Sequence, residues 1–253
     1  MTIKRLQGTT VSIGSWLTIG HPAVAEILCN CGFDWLVIDL EHTTIGMDKC
    51  GELIRVIDLC GSLPLVRLTS NDLNQIKRVM DAGAHGVVVP SVNSVADAEA
   101  AVSATRYHPQ GTRGVGLGRA QKYGVEFRKY FEWQKSEPIV LVQIEHISAV
   151  DQVEEIFGVD GVDGFIIGPY DLSCSMGIPG QFEHSEFLAT IEKIRKAGNK
   201  MQCHPGIHVV EPDPEDLNKA IKSGYQLIAY GVDMRMLDVC ARNGINCFKD
   251  FTK

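Results

Sequence analysis

Asp81-Ala82-Gly83-Ala84-His85-Gly86-Val87-Val88-Val89-Pro90 holds one complete passage from helix to strand. Helix-forming sequence runs up to Ala82, and Gly83 stands where a helix stops in a left-handed residue. Two residues turn, and Gly86-Val87-Val88-Val89 is a short β-rich run closed by a proline. The passage recurs as Cys31-Gly32-Phe33-Asp34 before Trp35, and as Ser223-Gly224-Tyr225-Gln226 before Leu227. A repeated helix stop, tight turn and buried strand is the βα unit of a parallel sheet.

Working outward, apolar runs occupy residues 11–17, 35–39, 63–67, 86–89, 139–143, 164–167, 200–204 and 226–229. Several are almost continuously apolar, as strands covered on both faces are. Helical patterns fill 22–31, 47–59, 72–81, 95–105, 149–157, 185–197 and 215–223. Asn71-Asp72 and Ser94 offer capping oxygens, and Gly32, Gly61, Gly83, Gly198 and Gly224 mark expected stops. Eight such units predict an α/β fold, a (β/α)₈ TIM barrel, as one domain over residues 1–253. That length is close to the ~250 residues typical of the fold. An open doubly wound sheet is the alternative, but no dinucleotide fingerprint accompanies it.

Residues 107–137 break the rhythm, with four glycines between Gly111 and Gly118. They lack the Lys-Ser/Thr of a phosphate loop. A connection this long points to function, and it is expected to help shape a second-substrate pocket together with Thr43-Thr44.

Composition narrows the class. Hydrophobic residues make up 45% and charged residues 22%, as in ordinary globular chains. The net charge is −7, with no Lys/Arg-rich run, which argues against nucleic acid as a partner. No apolar stretch approaches ~18 residues, so no membrane partner is expected. Met1-Thr2-Ile3-Lys4-Arg5 leads into no apolar stretch of a secretion signal, which predicts a cytoplasmic location. Eight scattered cysteines without a CxxC read as buried, reduced thiols.

Barrel active sites lie at the C-terminal ends of the strands. Reading those ends gives Trp16, then Asp39-Leu40-Glu41-His42, Arg67, Pro90, Gln143-Ile144-Glu145, Gly168-Pro169-Tyr170-Asp171, Cys203-His204 and Tyr230-Gly231-Val232-Asp233. Glu145 and Asp171 follow adjacent strands and form a candidate metal pair. Two carboxylates leave positions of an octahedral hard cation open to water or substrate; Mg²⁺ suits this, with Mn²⁺ or Co²⁺ as alternatives. The competing reading is that both merely cap helices. His42 is a candidate general base, oriented by Asp39 or Glu41, or else a structural histidine. Arg67 ends an apolar strand and calls for an anionic partner, either a keto-acid substrate or Asp39 and Glu41 themselves. His204 beside Cys203 reads as packing. Lys200 is expected at the start of its strand, and no strand end carries a lysine; imine chemistry is therefore disfavoured against metal-assisted chemistry.

The ordered set Gly32-Phe33-Asp34-Trp35-Leu36-Val37-Ile38-Asp39-Leu40-Glu41-His42, Leu65-Val66-Arg67, Asp81 to Pro90, Tyr107-His108-Pro109-Gln110-Gly111-Thr112-Arg113-Gly114, Gln143-Ile144-Glu145 and Gly168-Pro169-Tyr170-Asp171-Leu172 resembles the HpcH/HpaI family of metal-dependent pyruvate aldolases over almost the whole chain. The resemblance implies a barrel whose last helix is exchanged between paired subunits, in dimer-based hexamers. It implies metal binding by Glu145 and Asp171, and catalysis by His42 as base with Asp39 behind it. Arg67 would hold the keto-acid oxygens, Gln143 would assist near the metal, the Gly168-Pro169 backbone would help seat the carboxylate, and Trp16 would line the site. The implied reaction is reversible cleavage of a 4-hydroxy-2-keto acid to pyruvate and an aldehyde. Alternatives are decarboxylation or lysis of an oxaloacetate-like or acyl substrate at the same site, and a non-catalytic keto-acid-binding barrel. Thr43-Thr44, where relatives often carry Gly-Pro, and the polar Met201-Gln202-Cys203-His204-Pro205 depart from the pattern and bear on substrate choice.

Overall fold

A computed structural model describes residues 11–251. The strands are β1 (Ser12–Leu17), β2 (Trp35–Asp39), β3 (Leu63–Arg67), β4 (Gly86–Val89), β5 (Ile139–Ile144), β6 (Gly164–Ile167), β7 (His204–Val209) and β8 (Leu227–Val232). The helices are α1 (Pro22–Asn30), α2 (Met47–Leu59), α3 (Leu73–Ala82), α4 (Val95–Thr105), α5 (Phe127–Trp133), α6 (Ile147–Val150), α7 (Val153–Phe157), α8 (Pro169–Ser175), α9 (Ser185–Met201), α10 (Pro214–Lys222) and α11 (Asp233–Phe251). All strands pair in parallel in chain order, and β8 returns to β1, closing the (β/α)₈ barrel. The residues read as lacking a secretion signal, Met1 to Arg5, lie outside the described residues. No helix among the described residues is long and apolar enough to cross a membrane.

The two-residue period of a strand divides the core. Leu36, Ile38, Val66, Val87, Val89, Val140, Val142, Phe165 and Ile167 pack outward under the helices. Val37, Leu65, Val88, Leu141, Ile166 and Ala229 pack together inside the barrel. Two positions onward, the same inward period reaches Asp39, Arg67, Gln143 and Gly231, and on β1 it reaches Trp16. The functional layer therefore follows from strand register: Asp39 is paired with Arg67 across β2 and β3.

Four expected boundaries change. Helix α9 runs through Lys200 and Met201 to a left-handed Gln202. Gly198 is consequently inside the helix, where a Cβ would come within 2.4 Å of the Phe165 ring; close packing, not termination, requires glycine there. Strand β7 begins at His204, so Lys200 lies on a helix rather than on either rim. Strand β8 extends to Val232, and the expected helix over 149–157 is split into α6 and α7. Of the eight cysteines, all free, Cys29, Cys50 and Cys203 are buried as expected, whereas Cys31, Cys60, Cys174, Cys240 and Cys247 are exposed.

Residues 107–137 are more ordered than an irregular loop, containing a 3₁₀ turn at Arg119–Gly124 and α5. The Arg113 guanidinium lies 4.2 Å from the Tyr107 ring centre and donates to Tyr130 Oη at 2.8 Å. Gln134 Oε1 accepts the Tyr107 N–H at 2.6 Å. The expectation that this segment shapes the second-substrate pocket does not hold within its own barrel. It leaves α4 and enters β5, so it covers the N-terminal rim, where Arg119 binds Asp58 at the end of α2 at 2.5 Å. The mouth is at the other end of the strands.

Asp163, just before β6, accepts the Val140 N–H at 2.8 Å. Burial raises its carboxyl from 3.8 to about 6, against the Val140 hydrogen bond and the charge of Arg106. The native chain holds this proton over a pH range in which the unfolded chain has released it. Stability from this group is thus present below about pH 4 and lost as pH rises through about 6. Asp163→Asn keeps an acceptor oxygen without the charge. It is expected to be about 1–3 kcal/mol more stable than the parent at pH 7 and to flatten the slope between pH 4 and 6, as read by urea unfolding at several pH values.

Candidate active site

Arg67 is the hub of the barrel mouth. Its Nε donates to Asp39 Oδ1 at 2.9 Å and its Nη2 to Asp39 Oδ2 at 2.7 Å. Its Nη1 lies 3.1 Å from Glu41 Oε2, and its guanidinium sits over the Trp16 ring at 5.2 Å. Asp39 is 1% exposed, and this bidentate geometry is what makes a shielded carboxylate tolerable. Both alternatives for Arg67 thus meet in one residue: it is tied to Asp39 and Glu41, yet retains N–H donors on both terminal nitrogens.

Asp39 serves the loop after β2 as well. Its Oδ1 accepts the backbone N–H groups of Glu41 at 3.0 Å and His42 at 3.3 Å. The His42 ring is largely exposed, and the acid beside it is Glu41, with Oε2 at 3.9 Å from Nε2. Asp39 therefore orients Arg67 and the His42 backbone, and Glu41 is the carboxylate within reach of the imidazole. Burial raises the Glu41 carboxyl, with Arg67 opposing and the charge of Glu145 adding to the rise across the mouth.

Glu145 follows β5 and is buried. Its Oε1 accepts from Ser91 N–H at 2.6 Å and Ser91 Oγ at 2.8 Å, and its Oε2 accepts from Gln143 Nε2. Gly168 lies directly against it, since a Cβ there would come 2.9 Å from Glu145 Cβ and Oε2 and 3.2 Å from Gln143 Nε2. This close approach brings the start of α8 to Glu145, with Asp171 exposed on the first turn of that helix. The Gly168 N–H is committed to Ile144 O at 3.1 Å, and Pro169 has none. Gly168 and Pro169 thus contribute shape, and the amides α8 can offer a ligand start at Tyr170.

Among the described residues no group of three or more His, Cys, Asp or Glu side chains is arranged around a common ion position. The donor set is nonetheless hard and acidic: among the described residues of the mouth, Asp39, Glu41, Glu145 and Asp171 outnumber the cation Arg67. A divalent ion held by Glu145 and Asp171, with water or substrate completing its shell, suits that oxygen-rich excess of negative charge.

Two residues of the mouth were not legible at the start. Ser91 follows Pro90 in a left-handed conformation (φ 52°) and aims both its N–H and Oγ at Glu145; no residue-type signal marks it. His208 stacks on Trp16, with ring centres 4.6 Å apart. The two-residue period from His204 would have placed it inward, had β7 been expected at 204–209. His204 itself hydrogen-bonds Gln226 at 2.7 Å, as a packing role predicts.

Comparison with known proteins identifies the family to which this barrel is similar. The sequence profile of the HpcH/HpaI aldolase/citrate lyase family matches residues 12–238. The chain is 38% identical over 234 residues to a hydroxypyruvate/pyruvate aldolase of Sagittula stellata, covering 90% of each chain. It is 40% identical over 232 residues to a 4-hydroxy-2-oxo-heptane-1,7-dioate aldolase of Shigella sonnei, covering 89% of this chain and 86% of that one. Among solved structures, an HpcH/HpaI aldolase/citrate lyase family protein from Burkholderia cenocepacia superposes with a TM-score of 0.91 at 31% identity, over 97% of this chain and 98% of the other.

Proposed function

From the premise that the chain belongs to the HpcH/HpaI aldolase/citrate lyase family, we propose how its mouth works as a class II aldolase. The enzyme is a carbon–carbon lyase that reversibly cleaves a 4-hydroxy-2-keto acid to pyruvate and an aldehyde, as the activities named for its relatives support. The observation that carries the assignment of roles is the Arg67 hub, a guanidinium fixed by Asp39 and Glu41 beside the acidic cluster of Glu145.

Arg67 holds the keto-acid oxygens with its remaining donors and stabilises charge on the keto oxygen as the C3–C4 bond breaks. His42, beside Glu41, takes the proton of the 4-hydroxyl. The C3–C4 electron pair passes to the enolate of pyruvate, the aldehyde departs, and a proton at C3 completes pyruvate. Trp16 covers the floor, Gln143 fixes Glu145, and Gly168-Pro169 lets α8 approach. Glu145 and Asp171 would hold a divalent cation, Mg²⁺ by ligand type with Mn²⁺ or Co²⁺ as substitutes, which when bound would supply Lewis-acid stabilisation of negative charge on the keto oxygen.

The test is a screen of 4-hydroxy-2-keto acids with several divalent metals. Pyruvate and aldehyde in equal amounts is the expected result. Carbon dioxide and pyruvate from an oxaloacetate-like acid, without aldehyde, would assign the site to decarboxylation instead.

We also read residues 1–253 as one catalytic barrel acting in the cytoplasm as an oligomer. Helix α11 is exposed from Cys240 onward. It carries Met234, Leu237 and Ile245 exposed near helical spacing, and an apolar stripe of this kind calls for a partner. Exchange of α11 with a second copy would bury it. Leu237→Glu with Ile245→Glu is expected to shift the protein to smaller species in sedimentation velocity. An unchanged sedimentation coefficient would remove the exchange.

A further inference from the structure

His208 lies on β7 in register with inward-facing Ala229, so it enters the barrel lumen at the layer of Trp16 and Arg67. Its ring lies nearly flat on Trp16, with 15° between the planes. His208 Nε2 is 3.1 Å from Gly231 O. A carbonyl only accepts, so Nε2 carries the hydrogen, and Nδ1 of the neutral ring keeps its lone pair. Burial holds the ring neutral by lowering its pKa to about 4, and the charge of Arg67 acts in the same direction.

The carboxylate oxygens of Asp39 and Glu145 in this layer are engaged, whereas Gln143 Oε1 is buried without a hydrogen-bond partner among the described residues. Both oxygens of Asp39 are taken by Arg67, and both of Glu145 by Ser91 and Gln143. His208 Nδ1 makes no hydrogen bond to any described residue. On the same ring stack, Trp16 Nε1 is buried without a partner. An acceptor with no described protein partner, on a ring held flat against Trp16, can take a donor arriving with the ligand. The methyl of pyruvate has no such donor, whereas a hydroxyl has one.

We propose that His208 is a specificity-determining residue that accepts a hydrogen bond from a substrate hydroxyl, so that the site favours hydroxylated carbon chains over their deoxy counterparts. The inference rests on the aldolase reading above and names the substrate class of the same site. The hydroxyl could belong to the keto acid at C3 or to the aldehyde, and the test separates these sources.

The experiment compares the parent with His208→Leu, His208→Asn and His208→Gln, all metal-loaded. One pair of reactions sets hydroxypyruvate against pyruvate with a fixed aldehyde; the other sets glycolaldehyde against acetaldehyde with fixed pyruvate. His208→Leu is expected to lower the kcat/KM ratio of hydroxylated to deoxy substrate about tenfold in one pair, and that pair identifies the source. Asn, whose amide stands where Nδ1 stood, recovers part of the ratio. Gln, whose amide reaches the Nε2 position, behaves like Leu and serves in its place if the Leu variant does not fold.

Thermal shifts by hydroxypyruvate, pyruvate, glycolaldehyde and acetaldehyde give a readout apart from turnover, and the hydroxyl-dependent part should fall in parallel. Ratios and shifts within about twofold of the parent in both pairs for the Leu and Gln variants would overturn the role of His208. A parent enzyme that turns over no 4-hydroxy-2-keto acid would overturn the aldolase reading instead, and the thermal shifts would then decide His208 alone.

Discussion

Arg67→Ala is expected to fold, to melt lower, and to release pyruvate about 10²- to 10³-fold more slowly than the parent, the cost of removing one preorganised donor from a developing oxyanion. The two losses have separate origins. The Arg67–Asp39 pair is shielded, with side chains 12% and 2% exposed. Deleting one partner of a buried pair costs about 3–5 kcal/mol because the other charge is left behind. Asp39 retains the N–H groups of Glu41 and His42, which moves the expectation to the lower end. Arg67→Lys separates charge from shape: an ammonium keeps the charge but cannot bind Asp39 in a two-pronged way and also reach Glu41. It is expected to recover stability more than turnover. If Arg67 were only a tie between β3 and the loop after β2, Arg67→Ala would melt lower with kcat/KM unchanged, and the proposed substrate role would be lost.

The same residues show how much of the site was legible beforehand. Strand period and register put Asp39 and Arg67 side by side, because both close apolar runs whose phase is fixed by the core. What could not be read was the division of partners. Asp39 could serve either His42 or Arg67, and the outcome depends on the path of four residues after β2, which no periodicity constrains. Strand β7 was misplaced for a different reason. His204-Pro205-Gly206-Ile207-His208 has neither the alternation nor the apolar run of its neighbours, and Gly198 imitates a helix stop while serving the Phe165 ring. The 107–137 segment could be assigned to its rim by topology alone, since any insertion between a helix and the next strand of a barrel lies at the strands' N-terminal ends. Its glycines resemble those of a functional loop, but that rule of connection, not composition, decides its place.

Metal removal should have the largest effect of all. Dialysis against a chelator is expected to abolish pyruvate release, and Mg²⁺, Mn²⁺ or Co²⁺ to restore it. The acids of the mouth also predict a thermodynamic signature independent of turnover. Without the ion, Glu145 and Glu41 oppose each other, so the metal-free parent carries that repulsion into its folded state. A cation at about 100 times its Kd adds about 2.7 kcal/mol to stability, which in a chain of this size raises the melting temperature by roughly 5–10 °C. Glu145→Gln reverses both effects. It can still accept from Ser91, and it removes one like charge facing Glu41, so the metal-free variant should melt no lower than the metal-free parent. It loses a hard anionic ligand, so the metal-dependent rise should vanish along with turnover. Asp171→Asn, on an exposed turn with no described side-chain hydrogen bond, should leave metal-free stability unchanged and lose the same rise. A helix-capping role for the two acids predicts the reverse, namely lower metal-free stability in both variants and an undiminished metal shift. Measuring melting temperature and bound metal in the three proteins, with and without the ion, decides between the two readings before any substrate is added.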